Sequence, residues 1–186
     1  MKQNVLIFGL ILGTIMTGHM VYMIDLVYHN PDFESNDVVG YAAMVVVFSL
    51  TFFGIRNYRN QQLQGVISLG TAFKTGALIA LVGSTMYVGA WLFYYYLFVP
   101  DFLDKYTLHV IHQATREGAT ASELAAKTRE MEQFREMYKS PVFVVLISYA
   151  EVLPVGLVVA FVSSLILKRK HTTAPAAGEV SHSHNR

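Results

Sequence analysis

The sequence predicts an all-α fold, a four-helix transmembrane bundle with a helical hairpin outside the bilayer between the third and fourth spans. Three observations predict it. Of 186 residues, 53% are hydrophobic and 15% charged, against roughly a quarter charged in soluble domains. The apolar residues fall into four long runs, at 5–24, 38–55, 75–99 and 142–167, each near the roughly 17–25 residues that a helix needs to cross a bilayer. The charges between the runs segregate by sign. Helices are the expected spanning element because lipid offers no partner to an open backbone group.

The first run carries one Lys, a long apolar stretch and no clear small-residue cleavage motif before Tyr22. It therefore reads as an uncleaved first span rather than a signal peptide. The connection after it holds Asp25, Asp32, Glu34 and Asp37 and no Lys or Arg, whereas the next holds Arg56, Arg59 and Lys74 and no acid. Lys2 precedes the first span, and Lys168, Arg169 and Lys170 follow the last. Cytoplasmic segments favour Lys and Arg, so both termini are expected in the cytoplasm and the hairpin on the other side. That assignment gathers eight basic residues and Glu179 inside, six basic residues and eleven acids outside, and leaves Glu151 alone between them.

Trp91, Tyr94, Tyr95 and Tyr96 at the outer end of the third run, with Tyr22, Tyr28 and Tyr58 near other ends, read as interfacial aromatic belts. The semi-apolar connection 65–74 is too short to span and reads as an interfacial or partly re-entrant helix. Outside the bilayer, 100–140 holds two helical patterns. Gly118 is placed to end the first, and Thr120 with Glu123 forms a capping box for the second. The balanced charges there make no nucleic-acid surface. The polar tail 171–186 is expected to be disordered and cytoplasmic, so its His182 and His184 are not read as a metal site. Residues 1–170 then form one membrane domain.

Small residues recur every four positions at Gly9, Gly13 and Thr17, at Gly76, Ala80 and Ser84, and at Gly156, Ala160 and Ser164. Each series makes a smooth face on which a second backbone can approach closely. Such faces serve packing within the chain, a homo-oligomer or another membrane protein equally well.

Glu151 is the only charge in the fourth run, and Pro154 follows three residues later. Proline lacks a backbone donor and crowds the carbonyl of Ala150, so a bend is expected beside the acid. By helical rise, His19 and Tyr87 fall near the same depth, making His19, Tyr87, Glu151 and Pro154 the candidate polar membrane site. Burial among apolar side chains favours the uncharged acid. One reading is a neutral Glu151 that steadies packing; the other is a proton-linked or ligand-gripping site.

No nucleophile with its base and orienter is recognisable. The absence of Cys excludes thiolate chemistry, and His109 and His112 lack an evident third ligand. Neither an enzyme nor a cofactor is expected. The function read from these residues is a structural or accessory membrane subunit, with a small transporter or proton-linked sensor centred on Glu151 as the alternative.

The segments 68–76 (SLGTAFKTG), 118–127 (GATASELAAK), 136–141 (EMYKSP) and 151–156 (EVLPVG) resemble the membrane family catalogued as Domain of Unknown Function 4199, found in Gram-negative bacteria. The likeness covers about residues 2–170. It implies a four-helix inner-membrane protein with the orientation above, and carries over no activity, cofactor or catalytic residue.

Overall fold

The computed structural model describes residues 1–29 and 36–169. The acids Asp32 and Glu34 and the tail expected to be disordered lie outside the described residues. Seven helices follow in order: α1 (Lys2–His29), α2 (Asp37–Phe48), α3 (Leu50–Gln62), α4 (Leu69–Leu97), α5 (Phe102–Arg116), α6 (Ala121–Tyr138) and α7 (Pro141–Leu167). Four segments are long and apolar enough to cross a membrane: α1, α2 with α3, α4, and α7. Their outward faces carry large apolar side chains, including Val46 at 69%, Phe93 at 61% and Ile166 at 66% exposure. Water would penalise such a surface, whereas lipid tails do not.

The second span is broken at Ser49, whose hydroxyl turns back onto the Val46 carbonyl. The Phe52 amide bonds the Ser49 carbonyl at 3.0 Å, a tighter, three-residue closure. This break gives the two halves different neighbours. α3 packs against α1, α4 and α7, whereas α2 packs on α7 and more lightly on α1.

The connection expected as an interfacial or re-entrant helix is instead a short turn. Gly65 takes φ +86°, and Ile67 exchanges backbone hydrogen bonds with Arg169 at 3.2 and 2.9 Å. α4 then begins at Leu69, capped by Ser68 accepting from the Thr71 amide at 3.2 Å. Lys74 thus sits within α4 rather than on a separate segment. This end of the bundle also holds the N-terminal amine against Gln62. Beside it, Asn4 donates to the Gly54 carbonyl at 2.9 Å and accepts from Asn57 at 2.7 Å.

At the opposite end, α5 and α6 form the hairpin. Gly118 takes φ +84° after α5, and the Ala119 amide reaches the Ala114 carbonyl at 3.0 Å. Thr120 and Glu123 make the reciprocal capping box. Hydrogen bonding from the Thr120 backbone amide, and then from its hydroxyl, holds the Glu123 carboxyl below its ordinary range. Ser140 caps α7 by accepting from the Phe143 amide at 3.4 Å, with Pro141 as the first helical residue. Arg135 meets Asp104 across the hairpin at 2.7 Å, but both are half exposed, so the pair is worth about 1 kcal/mol at most.

Aromatic packing does more to seat the hairpin. Trp91, expected in an interfacial aromatic belt, is only 7% exposed. It packs edge-on against Phe102 at 5.0 Å between centroids, and its indole N–H donates to the Tyr138 hydroxyl at 3.1 Å. The hairpin covers the ring, which is why hydropathy and position alone misplaced it. Tyr96, at 47% exposure, keeps a surface position.

α4 is the central helix, with α1 and α7 packed along it. A Cβ built on Gly9 would lie 2.6 Å from Val82 Cβ, and one on Gly13 would lie 2.8 Å from Met86 Cβ. On the other flank a Cβ on Gly76 would lie 2.9 Å from Ala160 Cβ, and one on Gly156 2.9 Å from Ala80 Cβ. Both alanines are fully buried. All three small-residue series therefore pack within the chain. Gly89, also on α4, has nothing within 4 Å of its missing side chain. Gly156→Ala is expected to destabilise the fold by about 1–3 kcal/mol through overpacking. Gly89→Ala should be neutral or slightly stabilising, since alanine is the better helix former by up to about 1 kcal/mol. Thermal unfolding in detergent compares them, and equal losses would refute the packing assignment.

Candidate functional site

The candidate site grows from the divergence of α2 and α3. Below Ser49, α3 fills the groove beside α4. Above it, a cavity of about 350 Å³ separates the α2 residues Ala43, Met44 and Val47 from Tyr87 and Trp91 of α4. The volume falls within the roughly 300–1,000 Å³ of small-molecule pockets.

Helical spacing assigns each side chain its place on the wall. Met16, His19, Met20 and Met23 stand at i, i+3, i+4 and i+7 and line the α1 side. Tyr87 and Trp91 are four apart on α4, and Ser148 and Glu151 are three apart on α7. Phe102 and Tyr106 of α5, with Phe134 and Tyr138 of α6, close the hairpin end. Four methionines and six aromatic rings thus surround a small polar group made of His19, Ser148, Glu151 and the phenol oxygens.

The structure brings His19, Tyr87 and Glu151 to one cavity. Pro154 is not on its wall; it is exposed, in an α7 that runs unbroken from Pro141 to Leu167. None of the nine small residues of the packing faces lines the cavity. Glu151 differs from expectation in one respect. It was read as buried among apolar side chains, yet it is exposed, as is His19. The face of α7 that carries Glu151 and Ser148 is turned toward the open space rather than into the α4 contact.

Each polar group has a distinct setting. Ser148 is 5% exposed, and its hydroxyl donates to the Val144 carbonyl at 2.7 Å. Tyr138 is anchored by Trp91. Burial pushes the Tyr138 phenol up to about 12; the Trp91 hydrogen bond opposes the rise, and the Glu151 carboxylate adds to it. His109, noted in the sequence beside His112, lies buried in α5; burial and then the neighbouring His112 lower its pKa.

Sequence reasoning overlooked the methionine face of α1, although Met16, Met20 and Met23 lie at helical spacing and were legible as one stripe. It also overlooked Ser148 and the Trp91–Tyr138 pair. A second link it missed joins α7 to α4: the Tyr149 hydroxyl donates to Thr85 Oγ1 at 2.8 Å, and the Thr85 hydroxyl in turn donates to the Leu81 carbonyl at 2.7 Å. Such i−4 back-bonding satisfies a hydroxyl that lipid cannot.

Chemically, the cavity can grip a molecule with a large apolar surface and one polar or charged group. Its wall is adaptable because methionine is flexible and polarizable. Comparison with known proteins finds no match among curated proteins and none among solved structures. A family model described as "Protein of unknown function (DUF4199)" matches residues 5–169. The chain, matched over nearly all of its membrane domain, belongs to the DUF4199 family.

Proposed function

We propose that this protein is a multi-pass inner-membrane protein that binds a small molecule in the Glu151 cavity, working as a small transporter or proton-linked sensor. The observation that carries the reading is the cavity itself, with the one acid of α7 exposed on its wall. A packing acid would be expected between helices. Glu151 instead faces space large enough for a ligand, and intramembrane acids commonly mark such pathways. The inner-membrane location rests on the family resemblance.

The chain has no native Cys, so single cysteines report water access directly. Ala43→Cys, on the cavity wall, should react with a small charged methanethiosulfonate. Val45→Cys, on a 48% exposed residue about 200° around α2, faces lipid and should stay inert. Native mass spectrometry of the purified protein should also find a bound small molecule that Glu151→Gln loses. An inert Ala43→Cys together with no bound molecule would overturn the reading.

The orientation we propose puts both termini and the α3–α4 turn in the cytoplasm and the α5–α6 hairpin outside. The excess of Lys and Arg near the terminal end supports it. In spheroplasts, an impermeant maleimide should label Ala125→Cys on exposed α6 without lysis, and Gln61→Cys only after it. The opposite pattern would invert the assignment.

A second reading, a structural or accessory subunit, draws on a different surface. The small-residue faces are taken up inside the chain, but Leu108 on the hairpin is 69% exposed, a large apolar side chain outside the spans. A photo-cross-linking residue at Leu108 should then capture another membrane protein or a second copy in cells. A chain that remains an uncross-linked monomer would end this reading.

A further inference from the structure

We infer, resting on the ligand-binding reading of the same cavity, that its ligand is a lipophilic organic monocation, held with Glu151 as its counter-ion and the aromatic rings of the wall around its charge. Among the described residues, Glu151 is the only Asp, Glu, Lys or Arg that lines the cavity. An anion would find a carboxylate and no fixed positive charge. A neutral apolar ligand would displace water from beside the carboxylate and bring no charge or hydrogen bond in its place.

A bare metal ion is also a poor fit. Hard cations take six to eight oxygens, whereas this wall offers one carboxylate, a serine and phenols among thioethers and rings. An organic cation meets each feature of the wall. Its charge pairs with Glu151, its apolar body packs on the four methionines, and ring faces attract diffuse positive charge, tryptophan most strongly. Trp91, Phe102, Phe134 and Tyr138 lie on the wall with Tyr87 and Glu151. Trp91 is held in place by Tyr138 at 3.1 Å, so its face is set before a ligand arrives.

The same residue supplies the readout. Trp91 is the sole tryptophan of the chain and lines the cavity, so its emission reports occupancy without a label. Tetraphenylphosphonium and tetraphenylborate have the same shape and opposite charge. Titration of the full chain in detergent, at pH 8 and thus above the ordinary imidazole range, should give a saturable change in Trp91 emission with tetraphenylphosphonium alone. Glu151→Gln should weaken that binding at least tenfold, while Glu151→Asp, which keeps the charge, should retain most of it. The two variants also separate loss of charge from loss of fold, since thermal unfolding checks both.

Equal binding of the two probes, or Glu151→Gln at wild-type affinity, would overturn the cationic ligand while leaving a ligand-binding cavity in place. Failure of tetraphenylphosphonium to bind a protein whose Ala43→Cys is reactive, and which carries another bound molecule, would do the same. An inert Ala43→Cys with no bound molecule would remove the cavity reading itself. Saturable, Glu151-dependent binding of the phosphonium alone supports the proposal.

Discussion

Where α1 crosses α4, a Cβ on Gly83 would come within 3.2 Å of the Gly9 carbonyl oxygen, and a Cβ on Gly13 within 3.1 Å of the Gly83 carbonyl. The two backbones are nearly in contact, and no larger side chain fits between them. Lipid tails are as apolar as leucine, so no hydrophobic force drives these helices together. Each contacting atom pair adds only about 0.1–0.2 kcal/mol, and the sum becomes useful only when whole backbones approach. The opposite flank repeats the arrangement with Gly76 beside Ala160 and Gly156 beside Ala80. α4 is thereby fixed between α1 and α7, and every other element takes its position from that three-helix layer.

The second span has to fit against this layer, and it does so over half its length. Phe48, fully buried at the end of α2, occupies the space that Gly156 leaves open, since a Cβ there would lie 2.5 Å from Phe48 Cε1. Beyond it the chain turns at Ser49, and α3 continues into the groove. On the other side of Phe48, α2 leans on α7, and its contact with α4 gives way to the cavity. Trp91, Phe102 and Tyr138 close the hairpin end. The cavity therefore follows from two local features, a ring wedged against a glycine and a hydroxyl bonded to its own helix. Neither is a polar residue of the site.

The parts of this architecture that hydropathy encodes were legible in the sequence. Four apolar runs, the capping box at Thr120 and Glu123, the terminating Gly118 and the small-residue series all rest on spacing along a single helix. What spacing cannot express is how a helix is rotated about its axis. Glu151 and Gly156 are five residues apart on α7, so they point to different sides; one meets the cavity and the other meets Ala80. Only the packing of Gly156 against α4 determines which side the acid faces. Trp91 failed for the same reason, since a ring at the end of a span serves a lipid belt or a tertiary contact with equal composition. The extra turns of α4 before residue 75 were hidden by Lys74, a charge that hydropathy places outside a helix and that a helix end tolerates.

That rotation changes the physical meaning of Glu151. An acid packed dry between helices must give up its hydration, and an apolar residue of similar size usually serves stability as well or better. On the wall of an open cavity much of that cost is avoided, because the carboxylate keeps access to whatever fills the space. The helix loses little by carrying it, since the packing face of α7 is built by Gly156, Ala160 and Ser164 on another side. Close packing and the acid thus occupy separate faces of one helix. The close backbone approach that holds α7 to α4 is also what turns Glu151 out of that packing face, onto the cavity wall it shares with Tyr87, Tyr138 and the methionines of α1.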